Sequence, residues 1–139
     1  MGGIFIIQKL IDAISNQIYS IFNKPNIYVE HIKQGFLLPC FCVRCIKTQE
    51  QRHLSNRYKI FNKIEITYFP KKNYNTNDDF NNILNILYDK LIMLKFEKGF
   101  IKGENMEGYI ENGAIKFFVE YNFYVFKKEE TDKMQKLYI

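Results

Sequence analysis

The sequence predicts a single α+β domain in which two helices pack on one face of a mostly antiparallel β-sheet. Two segments carry apolar residues at helical spacing, and the segments between and after them alternate as strands do. Helices and strands that are grouped in this way, instead of alternating one by one, favour the α+β class. With 139 residues, 47% of them hydrophobic, the chain has enough apolar surface for one buried core.

Each predicted helix shows apolar residues every three or four positions. The first covers residues 4–22 and ends before Pro25, which cannot continue a helix. The second covers residues 78–94, and Asp78 and Asp79 suit the positive N-terminal end of its dipole. Both stripes need a partner surface, which the strands supply.

Three strands are predicted between the helices. Residues 27–32 are rich in β-branched and aromatic side chains, and residues 40–48 are apolar on both faces, which predicts a central position in the sheet. Residues 57–69 alternate apolar and polar side chains. Phe61 and Asn62 interrupt that alternation, which indicates a bulge or a sheet edge.

Two or three further strands are expected after the second helix, where glycines punctuate strand-like segments. Residues 109–111 and 114–126 read as a hairpin, because Asn112-Gly113 is a strong two-residue turn signal. The connection at residues 49–55 is polar and is predicted to be a loop. We therefore expect one domain at residues 1–126, followed by a charged C-terminal tail at residues 127–139.

The cysteines Cys40, Cys42 and Cys45 lie within six positions of each other. An odd number argues against a disulfide framework. On a strand Cys40 and Cys42 share a face and Cys45 points to the other, whereas zinc needs three or four convergent ligands. His31 and His53 have no ligand-like spacing to them. We predict packed thiols and no metal site.

No catalytic motif stands out, so the chain is predicted to be neither an enzyme nor a cofactor-binding protein. The net charge of +5 permits contact with nucleic acid, although the basic residues are scattered and arginine is scarce. A small nucleic-acid-binding module stays an alternative, and it would require aromatic residues on an exposed basic sheet face. No apolar run is long enough to span a bilayer or to act as a signal sequence, so we expect an intracellular protein without membrane contact.

The most distinctive motifs lie between residues 34 and 70. They are Gln34-Gly35-Phe36, Pro39-Cys40-Phe41-Cys42-Val43-Arg44, Asn56-Arg57-Tyr58 and Tyr68-Phe69-Pro70. In this pattern, preceded by a helix, the sequence resembles the phage tail terminator (tail completion) family of prophages and phage tail-like particles of Gram-positive bacteria. The resemblance extends over residues 6–126.

The resemblance implies a structural subunit that assembles as a homohexameric ring without a cofactor. Such a ring binds the last ring of tail-tube subunits, stops polymerisation and offers a surface to the head connector. In contractile tails it can also meet the sheath protein. It would be made in the bacterial host cytoplasm and end at the head-proximal end of the tail. A head–tail connector or neck protein is the closest alternative.

Contact residues are expected in loops and in the tail, because loops on a rigid scaffold usually carry them. The loops are residues 33–39, 48–56 and 71–77. The strand at residues 57–69 is predicted to offer an edge to a neighbouring copy. A six-copy ring carries a charge of about +30, enough for its lumen to approach passing DNA without reading its sequence. The interface candidates are Gln34, Gly35, Phe36, Glu50, Gln51, Arg52, Arg57, Leu137, Tyr138 and Ile139.

Overall fold

The computed structural model describes residues 2–29, 37–71, 77–129 and 135–138. These ranges contain two helices and seven strands. Their bounds are α1 (Gly2–Ile21), β1 (Asn26–Val29), β2 (Cys40–Arg52), β3 (Arg57–Phe69), α2 (Asn77–Lys90), β4 (Met93–Phe96), β5 (Gly99–Glu111), β6 (Ala114–Glu129) and β7 (Gln135–Tyr138).

The strands form one sheet in the order β1-β2-β3-β6-β5-β4, and β7 adds to β6. Only the β1–β2 pair is parallel, and the other pairs are antiparallel. β3 and β6 lie at the centre and pair with each other from Arg57↔Phe126 to Tyr68↔Ile115. The sheet is therefore mostly antiparallel, as predicted.

Both helices lie on one face of this sheet, which we call the inner face. A single core cluster joins α1, α2 and the inner residues of the strands. On β6 the buried side chains occupy alternate positions, as in a strand covered on one side. They are Ile115, Phe117, Val119, Tyr121 and Val125, and Ala114 at the start of the strand is buried as well. The predicted α+β class is confirmed, and the face opposite the helices is called the outer face.

The second helix ends earlier than predicted. α2 stops at Lys90, and Leu94, expected at its end, lies on β4. Gln17 of α1 fixes this change of direction, because its amide nitrogen donates to the Lys90 carbonyl (2.6 Å) and the Met93 carbonyl (3.0 Å). Leu94 is fully buried on β4. A buried leucine at this position fits the end of a helix as well as a strand, so the spacing of apolar residues could not decide between the two.

β2 is longer than predicted, and β3 is not an edge. Residues 49–52 continue β2, although every residue from Ile46 to Arg52 is exposed. β3 pairs with β2 on one side and β6 on the other. Its register is regular through the predicted interruption, where Asn62 is buried and its amide donates to the Tyr121 carbonyl at 2.9 Å. The register shift lies in β2 instead, between Cys45 and Lys47.

The C-terminal half confirms the hairpin and adds a strand. Asn112 and Gly113 turn with φ of 51° and 73° between β5 and β6. Among the residues that the structure describes after α2 there are four strands, instead of two or three. Residues 135–138 of the predicted tail form β7 against the end of β6. The proposed division at residue 126 stays a prediction.

Candidate assembly interface

Six of the predicted contact residues gather at one end of the sheet. Glu50, Gln51 and Arg52 end β2, where they pair with β3, and Arg57 begins β3. This end, made of residues 46–62, 121–129 and 135–138, is called the sheet tip. It is built from strands, whereas the sequence indicated a loop.

β6 and β7 complete the sheet tip. Phe126 of β6 lies between Arg57 and Tyr138, and Lys127 lies opposite Leu137. The backbone of β7 thus brings Leu137 and Tyr138 to the same end as the β2–β3 hairpin. The other candidates, Gln34, Gly35, Phe36 and Ile139, lie outside the described residues.

On the inner face of the sheet tip, Lys127 is the central group. Its ammonium forms an ion pair with Glu50 and lies 4.4 Å from the centre of the Tyr58 ring. The Arg52 guanidinium lies 5.9 Å from the centre of the same ring. These contacts tie the end of β6 to both strands of the hairpin, so the tip is held by side chains as well as by the strand ladder.

On the outer face of the sheet tip, cations lie over aromatic rings. The Arg57 guanidinium is 3.8 Å from the centre of the Tyr124 ring, and the Lys59 ammonium is 5.1 Å from Phe61 and 5.5 Å from Tyr124. The ring of His53 contacts Tyr124 edge-on at 5.5 Å. The sheet therefore does present a basic aromatic surface at this end.

The β2–β3 turn carries an apolar side chain into solvent. His53 N–H donates to the Arg57 carbonyl (2.6 Å), and Ser55 and Asn56 take positive φ angles of 57° and 62°. Leu54, at the turn, is 89% exposed. An apolar residue held at the end of a rigid hairpin suits contact with another surface.

Two edges of the sheet lack a neighbouring strand among the described residues. β1 pairs with β2 only from Cys40 to Val43, and β4 pairs with β5 only from Gly99 to Lys102. Within the part of the chain that the structure describes, β2 from Ile46 onward and β5 from Gly103 onward have a neighbouring strand on one side only, and we call these segments the open edges. Sequence analysis missed both, since an edge is a property of pairing that no local pattern records.

One row of charges crosses the sheet on the outer face. The register places Lys47 opposite Lys63, Lys63 opposite Glu120, and Glu120 opposite Glu104. Like charges directly across a ladder are destabilising. In this row the two basic residues lie on the β2 side and the two acidic residues on the β5 side.

Several residues of the distinctive motifs line one groove. Pro39, Tyr68 and Pro70 meet the start of α2 around a cavity of about 420 Å³. On the α2 side it is lined by Phe80 and Ile83. These motif residues thus shape the junction between the β2–β3 pair and α2, which is a structural role and lies away from the sheet tip.

The cysteines are placed as predicted, with Cys40 and Cys42 on the outer face and Cys45 on the inner face. Cys40 is fully buried and Cys42 nearly so. Burial, followed by the proximity of Cys42, raises the pKa of the Cys40 thiol to about 12, and burial also raises the pKa of Cys42. Both thiols therefore stay protonated at neutral pH.

Replacing Cys40, Cys42 and Cys45 together with Ala or Val is expected to leave assembly intact at a modest cost in stability. The native protein should also resist thiol alkylation at Cys40 and Cys42 at neutral pH, because the thiolate is the reactive form. Mass spectrometry of the labelled protein, with and without denaturant, checks this. Stoichiometric zinc that is lost in the triple variant, together with folding, would contradict it.

The described residues contain no group of three or more His, Cys, Asp or Glu side chains arranged to hold a metal ion. His53 is at the sheet tip, while His31 lies outside the described ranges. Neither described helix has the length and apolarity to cross a membrane.

A mostly antiparallel sheet with both helices on one face defines the class as a small α+β domain. Residues 9–133 match the family model described as phage tail terminator protein. The chain belongs to this family, and its role is that of a structural component of a phage tail. No curated protein matches the chain.

Proposed function

We propose that this chain closes the head-proximal end of a phage tail or tail-like particle as a homohexameric ring. The ring binds the last ring of tube subunits, stops tube polymerisation and provides the surface that joins the head. It acts through contacts alone, with no catalytic step and no cofactor. In a contractile particle the same ring would also meet the sheath protein.

The observation that supports this role is the sheet tip. It brings Glu50, Arg52 and Arg57 together with β7 at the end of a strand ladder, where ion pairing and cation–aromatic contacts hold their positions. A rigid platform of exposed polar groups with Leu54 at its turn suits docking on a repeated surface such as a tube end.

The outer face of the tip and of the adjoining part of β3 and β6 supports a second contact. Arg57, Lys59 and Lys63 concentrate positive charge beside Tyr124 and Phe118. In a ring this face would attract the phosphate backbone of DNA that passes through the lumen, without recognising its sequence. The same face is the feature that a small nucleic-acid-binding module requires, so that alternative has to be tested directly.

Tails produced without this protein are expected to grow past their normal length and to remain without heads. Supplying the wild-type chain should restore a uniform length and a ring visible by electron microscopy at the head-proximal end. Tails of normal length without the protein, or rings at another position, would contradict the proposal. Strong salt-dependent DNA binding by purified protein that does not bind the tube would favour the nucleic-acid module, and binding to a portal-side adaptor alone would favour a connector.

A further inference from the structure

We propose that the ring contact is a strand pairing between two different sheet edges, in which the open edge of β2 in one copy meets the open edge of β5 in the next. This inference rests on the proposed function, since it explains how that ring closes. It commits to a second copy of this chain as the occupant of both edges.

The two edges have the geometry that such pairing needs. Among the described residues, β2 from Ile46 onward pairs only with β3, and β5 from Gly103 onward pairs only with β6. They lie on opposite sides of β3 and β6 and run in opposite directions, because each step β2–β3–β6–β5 is antiparallel. Two copies placed side by side therefore bring β2 and β5 together as an antiparallel pair.

The two edges also carry opposite charge. From residue 103 to 111, β5 contains Glu104, Glu107 and Glu111 and no basic residue. From residue 46 to 52, β2 contains the basic residues Lys47 and Arg52, and its single acid, Glu50, is paired with Lys127. Each edge adds exposed apolar surface, since Ile46 of β2 is 41% and Ile110 of β5 is 40% exposed.

Charge also excludes the other pairings of these edges. Two β2 edges would bring basic residues together, and two β5 edges would bring Glu104 and Glu107 against their own copies, which is unfavourable across a ladder. Only the contact between a β2 edge and a β5 edge is favourable. A contact between two different patches generates a ring when the rotation from copy to copy brings the last copy back to the first. The two open segments are offset along the strands, and a closed ring of strands accommodates an offset by tilting.

Each edge also has a register shift, between Cys45 and Lys47 in β2 and between Glu104 and Glu107 in β5. Bulges and charges are the features by which edge strands avoid uncontrolled pairing. The free chain is therefore kept from polymerising, and pairing requires the correct edge of a neighbour held close by the tube.

Charge reversal tests the contact. The variant K47E/R52E makes β2 acidic, and the variant E104K/E107K makes β5 basic, so neither can pair with itself. Expressed singly with the other tail proteins in a host that lacks the wild-type chain, each is expected to give overgrown tails without rings. Expressed together they should restore rings and uniform length, because the two variants can alternate around a ring with an even number of copies.

The matched controls are K24E/K98E and D12K/D89K, which reverse exposed charges away from both edges and should behave as wild type. Melting curves show that each variant is folded. Rings formed by either edge variant alone would overturn the inference, and so would a failure of the two folded variants to form rings together. In both cases, rings formed by the wild-type chain would leave the proposed function standing. Absence of wild-type rings would contradict the function itself.

A second measurement tests the same contact without charge reversal, so it remains informative when a charge-reversed variant fails to fold. In a chain with all three native cysteines replaced by Ala, Q49C and Y109C place one thiol on the outer face of each edge. Oxidation of assembled tails is expected to give covalent ladders between copies with the double variant, but only monomers or dimers with either single variant. Monomers alone from ring-bearing tails of the double variant would overturn the inference.

Discussion

Removing residues 131–139 is expected to abolish joined tails of uniform length. The deletion takes away β7, so residues 126–129 of β6 lose their pairing with residues 135–138, and Phe126 keeps only its pairing with Arg57 of β3. Replacing Glu50, Gln51 and Arg52 with Ala should have the same kind of effect, because it removes the acid that fixes Lys127 and the cation beside Tyr58. Electron microscopy of tail length and head attachment measures both.

The pattern of failure assigns the contact. Overgrown tails would place the changed segment in the contact with the tube or in the contact between neighbouring copies, and capped tails without heads would place it against the head connector. As a matched control, Ala at Asn16, Asn81 and Asn85 changes three exposed helical residues and should leave tails normal. Normal tails that join heads in both tip variants would remove the sheet tip from the interface.

Tyr121→Ala is expected to lower the free energy of unfolding by about 3–5 kcal/mol, as large-to-small changes of aromatic core residues do. Tyr121 is fully buried, and its hydroxyl donates to the Leu91 carbonyl at 2.5 Å. Tyr121→Phe keeps the ring but leaves that carbonyl without its donor, so we expect a loss of about 1–3 kcal/mol. Urea denaturation measures both, and equal losses would contradict the separate role of the hydroxyl.

The buried phenol of Tyr121 also predicts that the free energy of unfolding depends on pH. Burial raises the pKa of Tyr121 above the ordinary value of 10.0, so the folded chain holds this proton more tightly than the unfolded chain. Its contribution to stability is complete below that ordinary value and declines as the pH rises above it. The difference in the free energy of unfolding between wild type and Tyr121→Phe should therefore stay constant up to about pH 10 and narrow above it. A constant gap would contradict this.

Helices and strands with one buried side were predictable from the sequence. β3 was predicted with its observed bounds, because Ile64 and Ile66 face the core and alternate with residues of the outer face. The hairpin followed from Asn112-Gly113, whose positive φ angles need such residues. α1 followed from its buried stripe. In each case a local pattern coincides with the burial of the folded chain.

The remaining features depend on pairing between distant segments. Residues 49–52 look like a loop because neither of their faces is buried, yet the ladder with β3 keeps them extended. The sheet tip joins β2, β3 and β6 through Lys127 and Glu50, which are 77 positions apart. The predicted contact residues could therefore be named individually, while their convergence and the two open edges required the sheet order.

The charge row from Lys47 to Glu104 gives each chain a dipole in the plane of its sheet. Arranged unlike-to-unlike around a closed circle, such dipoles point along the circumference and their vector sum vanishes. At physiological ionic strength the field of a single chain extends about 8 Å, roughly to its immediate neighbour. Electrostatics would then orient each incoming copy during its last approach, and once the circle is complete no unsatisfied end would remain to attract a further copy.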